Sequence, residues 1–145
     1  YANEVARRVG WEEAMRILAK LHADMAPAVK EQLPKLGITG NDARAGAKLI
    51  EAVFTHHTPG LLDLMTRRWA EDTPQRVVFH HSGYCASMEA CKAIGRTPRE
   101  FCTIPHEEGL TPLVQAINPA LRVRLGKMRP ESEYCEVIIE QRTAG

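Results

Sequence analysis

The stretch Arg76-Val77-Val78-Phe79-His80-His81-Ser82-Gly83 decides how this chain is read. Its first six positions are rich in β-branched and aromatic residues, the composition of a strand, and Ser82-Gly83 ends it. Upstream, Glu71-Asp72-Thr73-Pro74 reads as a turn. Leu62 to Trp69 then reads as the antiparallel partner, with imperfect alternation. Downstream, Ala86 to Ile94 is a short helix closed by Gly95.

Working outward, the chain before this hairpin has helical periodicity. Val5, Val9, Trp11, Met15, Leu18, Leu21 and Met25 recur at helical spacing after a possible cap at Asn3, and Gly10 weakens or splits that helix. Pro27 suits a restart, which Pro34 and Gly37 close. Asn41 or Asp42 caps a third helix running through Leu49, Ile50, Val53 and Phe54 to about Thr58-Pro59-Gly60. After the hairpin, a helical stretch between Thr97 and Ile117 is interrupted at Pro105, Gly109 and Pro112. Leu121 to Met128 and Tyr134 to Gln141 form a last strand pair joined by Arg129-Pro130-Glu131-Ser132-Glu133. The reading is an α+β fold: N-terminal helices over 1–60, then an antiparallel sheet of about four strands with helical inserts over 61–145, as one domain.

The bulk numbers agree with an ordinary globular chain. It has 145 residues, 44% apolar and 26% charged, with a formal net charge of +1. At that size roughly 70% of the unfolded surface is buried on folding, so no staple is needed. The charge balance offers nothing to nucleic acid or an anionic membrane, and no apolar run reaches membrane-spanning length. No charged-then-apolar leader is recognised, although the chain begins at Tyr1 and leaves room for residues before it. Four cysteines are sparse for a disulfide scaffold, so reduced thiols in a cytoplasmic protein are expected. An exposed sheet edge is open to a second copy, which makes a homodimer compatible with this reading.

The candidate chemistry lies between Arg76 and Glu136, which hold Cys85, Cys91, Cys102 and Cys135 together with His80, His81 and His106. Cys102 and His106 are four apart, and a helix places both on one face. Such a pair can exist as thiolate and imidazolium, with Glu107 or Glu108 to orient the ring or move a proton. The alternative is a small core cysteine beside a capping histidine. Cys85 begins a helix, where backbone N–H groups favour a thiolate. Cys91 reads as packing. Cys135 points with Val137 and Ile139, opposite Glu136 and Ile138. His80 and His81 face opposite sides of their strand, and His56-His57 end a helix as structural or solvent-exposed residues. Zinc favours ligands of the types found at Cys85, Cys102, His106 and Cys135, or His81, but no closely spaced ligand pair of the Cys-x-x-Cys kind is present. No other cofactor is expected. Arg67-Arg68 and Arg122 with Arg124 are candidate carboxylate forks, or simply a wet strand face.

A set of segments in order carries a resemblance: Arg76-Val77-Val78 leading to Cys85, Cys91-Lys92-Ala93-Ile94-Gly95, Phe101-Cys102, Ile117-Asn118-Pro119, Met128-Arg129-Pro130 and Tyr134-Cys135-Glu136. Together with Val9-Gly10-Trp11-Glu12-Glu13-Ala14 they make the chain similar to the L-2-amino-thiazoline-4-carboxylic acid hydrolase family. That resemblance implies a hydrolase of non-peptide carbon–nitrogen bonds that opens a cyclic amidine-type ring. Cys102 would be the nucleophile, His106 or Glu107 the proton donor, and Arg76 or another arginine the holder of the substrate carboxylate; His81, Cys85 and Cys135 would line the substrate site. The same order of strand, helix and cysteines also looks like small-molecule-binding domains related to four-vinyl reductases, which bind tetrapyrrole-like or other small ligands without needing to catalyse anything.

Overall fold

The computed structural model describes residues 2–57 and 64–142, with the backbone alone at 56 and 57. Four strands make an antiparallel sheet in the order β1-β2-β4-β3: β1 Met65–Asp72, β2 Arg76–Gly83, β3 Leu121–Leu125 and β4 Cys135–Gln141. The helices are α1 Ala2–Val9, α2 Trp11–Ala23, α3 Ala26–Gln32, α4 Ala43–His57, α5 Ala86–Ile94, α6 Pro98–Ile104 and α7 Thr111–Gln115. A π-helical segment, Pro105–Leu110, joins α6 to α7. The α+β expectation holds.

The decisive stretch is a central strand. Thr73 ties the hairpin, its hydroxyl accepting from the Arg76 N–H at 3.0 Å and its own N–H donating to the Arg76 carbonyl at 2.9 Å. This register carries β1 on to Glu71 and Asp72, which pair with Val78 and Val77 past a bulge after Trp69. The strand therefore starts and ends about three residues later than its apolar content suggests, and the expected residues 62 and 63 lie outside the described residues. On β2, Val77, Phe79 and His81 share the inner face and stand opposite Ile139, Val137 and Cys135 of β4. Val123 and Leu125 of β3 continue those rows.

The α4 helix covers the inner face. Asp42 caps it, Oδ1 accepting from the Ala45 N–H at 2.9 Å. Leu49 and Ile50 on α4 are buried with Val77, Phe79, Leu121, Val123 and Ile139 in one contiguous core. Gly46 permits this approach, since a Cβ there would lie 3.2 Å from Ile139 and 3.3 Å from Leu121. Gly109 does the same for α2, where an added Cβ would lie 3.0 Å from the Ala19 backbone.

The stretch from Thr97 to Ile117 is less broken than its prolines suggest. A capping box between Thr97 and Glu100 starts α6. Pro105 lacks the N–H an α-turn would use, and the wider π turn carries the chain past it. Pro112 falls in the first turn of α7, where no donor is needed. Elsewhere, Gly10 splits α1 from α2 at φ 88°, and Gly95 closes α5 at φ 68°. β3 stops at Leu125, and Gly126 donates to the Glu136 carbonyl at 3.1 Å as the chain leaves the ladder.

Candidate functional site

Between α4, the inner face of the sheet and the α5–α6 region lies a cavity of about 270 Å³. It is at the small end of ligand pockets, which run from about 300 to 1,000 Å³. Ile50 and Phe54 of α4, Phe79, Leu125, Val137 and Met128 make its apolar walls. Cys85, Cys102 and Cys135 meet there with His81, His106, Arg67 and Arg129.

Each polar side chain arrives by a different route. Arg67, His81 and Cys135 form one row across β1, β2 and β4. Cys85 precedes α5 in extended backbone at its N-cap position. Cys102 is on α6, and His106 follows in the π-helical segment. Arg129 sits in the β3–β4 loop, its N–H donating to Cys135 Sγ at 3.4 Å and its Nη1 to the Gly83 carbonyl at 2.6 Å.

Cys102 and His106 do share the cavity, but not as an ion pair. His106 Nδ1 donates to the Cys102 main-chain carbonyl at 2.9 Å. Its ring lies against Phe54 at 6.4 Å and 28°. Burial lowers the His106 pKa against the pull of that hydrogen bond, so the ring is neutral near pH 7. Burial, then the neighbouring Cys85, Cys91 and Cys135, push the Cys102 thiol up to about 12. The dominant cause is desolvation, which favours the neutral thiol.

His81 is also held neutral. Burial, then the charges of Arg67, His106, Arg129 and His80, bring its pKa down to about 4. Its Nε2 is buried with no hydrogen-bond partner. Arg67 is balanced by Glu51 of α4 at 2.6 Å and passes over the Phe79 ring at 5.8 Å.

Two expected site residues are elsewhere. Arg76 shares parity with Val78 and His80, so its guanidinium is on the outer face, paired with Glu71 and with Glu140 at 3.4 Å. Glu107 turns from His106 to β3, accepting the Leu125 N–H at 3.0 Å. Cys91 is core, 1% exposed, as its spacing suggests. The zinc set of Cys85, Cys102, His106 and Cys135 borders one cavity, yet among the described residues no three His, Cys, Asp or Glu side chains converge as a metal site. All four cysteines are free thiols. The side chains of His56 and His57 lie outside the described residues.

Sequence reasoning missed Phe54, Glu51 and Met128, and it assigned no role to Arg129. Phe54 and Met128 look like core in any one-dimensional pattern. Glu51 was findable only as the α4 carboxylate left facing the sheet once Ile50 is placed inside.

No family model and no curated protein matches the chain. Among solved structures it is similar to an Fe(II) unliganded H-NOX protein from K. algicida, with TM-score 0.52 and 13% identity over 90% of this chain and 64% of that one. A single-substitution mutant of the same protein gives TM-score 0.52 and 12% identity with the same coverage. This chain thus spans less than two thirds of the length of its structural relatives, and the likeness between them is one of fold.

Proposed function

We propose that this chain is a small-molecule-binding domain whose ligand sits between α4 and the inner face of the sheet. The observation that carries the reading is a single cavity of about 270 Å³ that gathers three thiols, two neutral histidines and two arginines within apolar walls. Few, well-placed polar groups in an otherwise apolar recess are the usual composition of a ligand site. The similarity in fold to H-NOX proteins points the same way.

The geometry lends less support to the cysteine-hydrolase reading. That mechanism needs a Cys102 thiolate near neutral pH, and burial favours the thiol. It also needs His106 to meet the sulfur, whereas the hydrogen bond between the two residues runs from Nδ1 to the Cys102 main-chain carbonyl rather than to Sγ.

The similar structures are of Fe(II) proteins. A bare iron ion would need several ligands, and no such group forms among the described residues. Iron carried in a tetrapyrrole would need a protein ligand, which a neutral His106 or His81 could supply. A macrocycle of that size exceeds a recess of about 270 Å³, so the cavity fits a smaller ligand.

Two measurements test the proposal. In a heteronuclear NMR titration with neutral 2-naphthamide, shifts should concentrate on Phe54, Phe79, Cys102 and Val137; no shifts, or shifts on the outer face, would overturn it. In native iodoacetamide labelling near pH 7, Cys102 should react at least about tenfold more slowly than in unfolded chain. Selective rapid labelling of Cys102 would restore the nucleophile.

A further inference from the structure

The charges around the cavity do not balance. Arg67 has Glu51 at 2.6 Å. On the outer face Arg76, Arg122 and Arg124 all reach Glu140, at 3.4, 2.7 and 3.3 Å. Arg129 differs from them: among the described residues no carboxylate lies within ion-pair distance of it, and its Nε is buried with no hydrogen-bond partner.

A guanidinium N–H buried without a partner is costly, because it loses its hydration and nothing replaces it. Arg129 is nevertheless held in place. Its Nη1 is tied to the Gly83 carbonyl and its backbone to Cys135 Sγ. These contacts fix the side chain at the cavity without neutralising it. Close by, in the row beside Cys135, His81 presents a second buried and unpartnered nitrogen, Nε2.

The two orphaned nitrogens border the same apolar recess. A neutral imidazole still donates one hydrogen bond, and a guanidinium is the preferred partner of a planar carboxylate. The recess holds a ligand of about a dozen non-hydrogen atoms if it is packed to about 0.74, the density of protein interiors. The Phe54 and Phe79 rings suit a flat apolar body.

Resting on the ligand-binding reading above, we propose that the ligand is a small apolar monocarboxylate, its carboxylate gripped by Arg129 and His81 and its body enclosed by the α4 and sheet walls.

Isothermal titration with 2-naphthoate and its neutral isostere 2-naphthamide tests this. The naphthoate should bind about tenfold or more tightly than the amide, as charge-assisted hydrogen bonds imply. Arg129→Gln should remove that advantage, so that naphthoate and amide bind the variant about equally. Should Arg129→Gln fail to fold through loss of the Gly83 contact, Arg129→Lys, which keeps the charge and loses the planar fork, should narrow the naphthoate advantage; an unchanged advantage would move the anion site elsewhere. Equal binding of the two ligands to the wild type would overturn the carboxylate assignment and leave the cavity reading intact. Binding of neither would overturn both. An advantage for naphthoate that survives Arg129→Gln would move the anion site away from this residue.

Discussion

His80 and His81 are neighbours on β2, yet strand alternation sends them to opposite faces of the sheet. On the outer face, His80 accepts from Arg68 at 3.2 Å, donates to Glu136 at 3.1 Å and stacks on Tyr134 at 3.8 Å. On the inner face, His81 has a buried Nε2 without a partner and is kept neutral down to about pH 4. Burial works against the Glu136 carboxylate, but the Lys127 N–H and His80 hydrogen bonds outweigh it and hold the group below its usual range. The outer face satisfies its polar groups within the protein. The inner face leaves two of them without a partner, and the proposed ligand binding rests on that asymmetry.

The contrast can be broken first by stability. Phe79, 2% exposed, meets the Trp69 ring at 4.5 Å on the inner face. Phe79→Ala should cost about 3–5 kcal/mol in urea unfolding, whereas Arg124→Ala on the outer face should stay within about 1 kcal/mol. Similar losses at both positions would erase the distinction.

Next in size is pH dependence. The His81 imidazole has a pKa of 6.5 unfolded and about 4 folded, so the unfolded chain binds more protons between those values. The stability this provides is present in full above pH 6.5 and is lost as pH falls toward 4, a loss on the order of 3 kcal/mol. His106, shifted in the same direction, adds to it. Unfolding free energies across pH 4–7 should show this slope, and His81→Gln should reduce it.

The smallest effect belongs to the outer face. Glu136→Gln should cost about 1 kcal/mol, since the amide keeps one acceptor oxygen for the Lys127 N–H or His80 in a largely buried pair. A coupling of several kcal/mol in a double-mutant cycle with His80 would make the outer face the more tightly bound of the two.

Much of this comparison is written in local pattern. The run from β2 to the end of α5 reads largely from local signals, a period of two and a closing glycine, although β2 continues through Ser82 and Gly83, where the sequence pattern suggested a break. The same parity separates Cys135 from Glu136. It also forbids Arg76 and His81 from sharing a site, since they sit at positions of opposite parity on one strand. Joining them as substrate residues neglected that rule. Glu107 was misread for another reason: a carboxylate beside a histidine looks like its partner until the strand end that needs an acceptor is folded against it. Arg129 carries no local mark at all. Its importance comes from what surrounds it, in a loop that reaches Gly83 across 46 residues of chain.

The π-helical segment Pro105–Leu110 has a consequence for how this region tolerates length change. A π turn holds an additional residue compared with an α turn, so it behaves like a one-residue insertion absorbed within a helix. Deleting one residue there would return the segment to plain α-helix with α7 kept close to its present orientation, but the residues inside the turn would be re-spaced. His106 would leave its place under Phe54 and Gly109 would turn from α2. Substitutions along this segment can be compensated one side chain at a time, but its length is fixed by two faces at once.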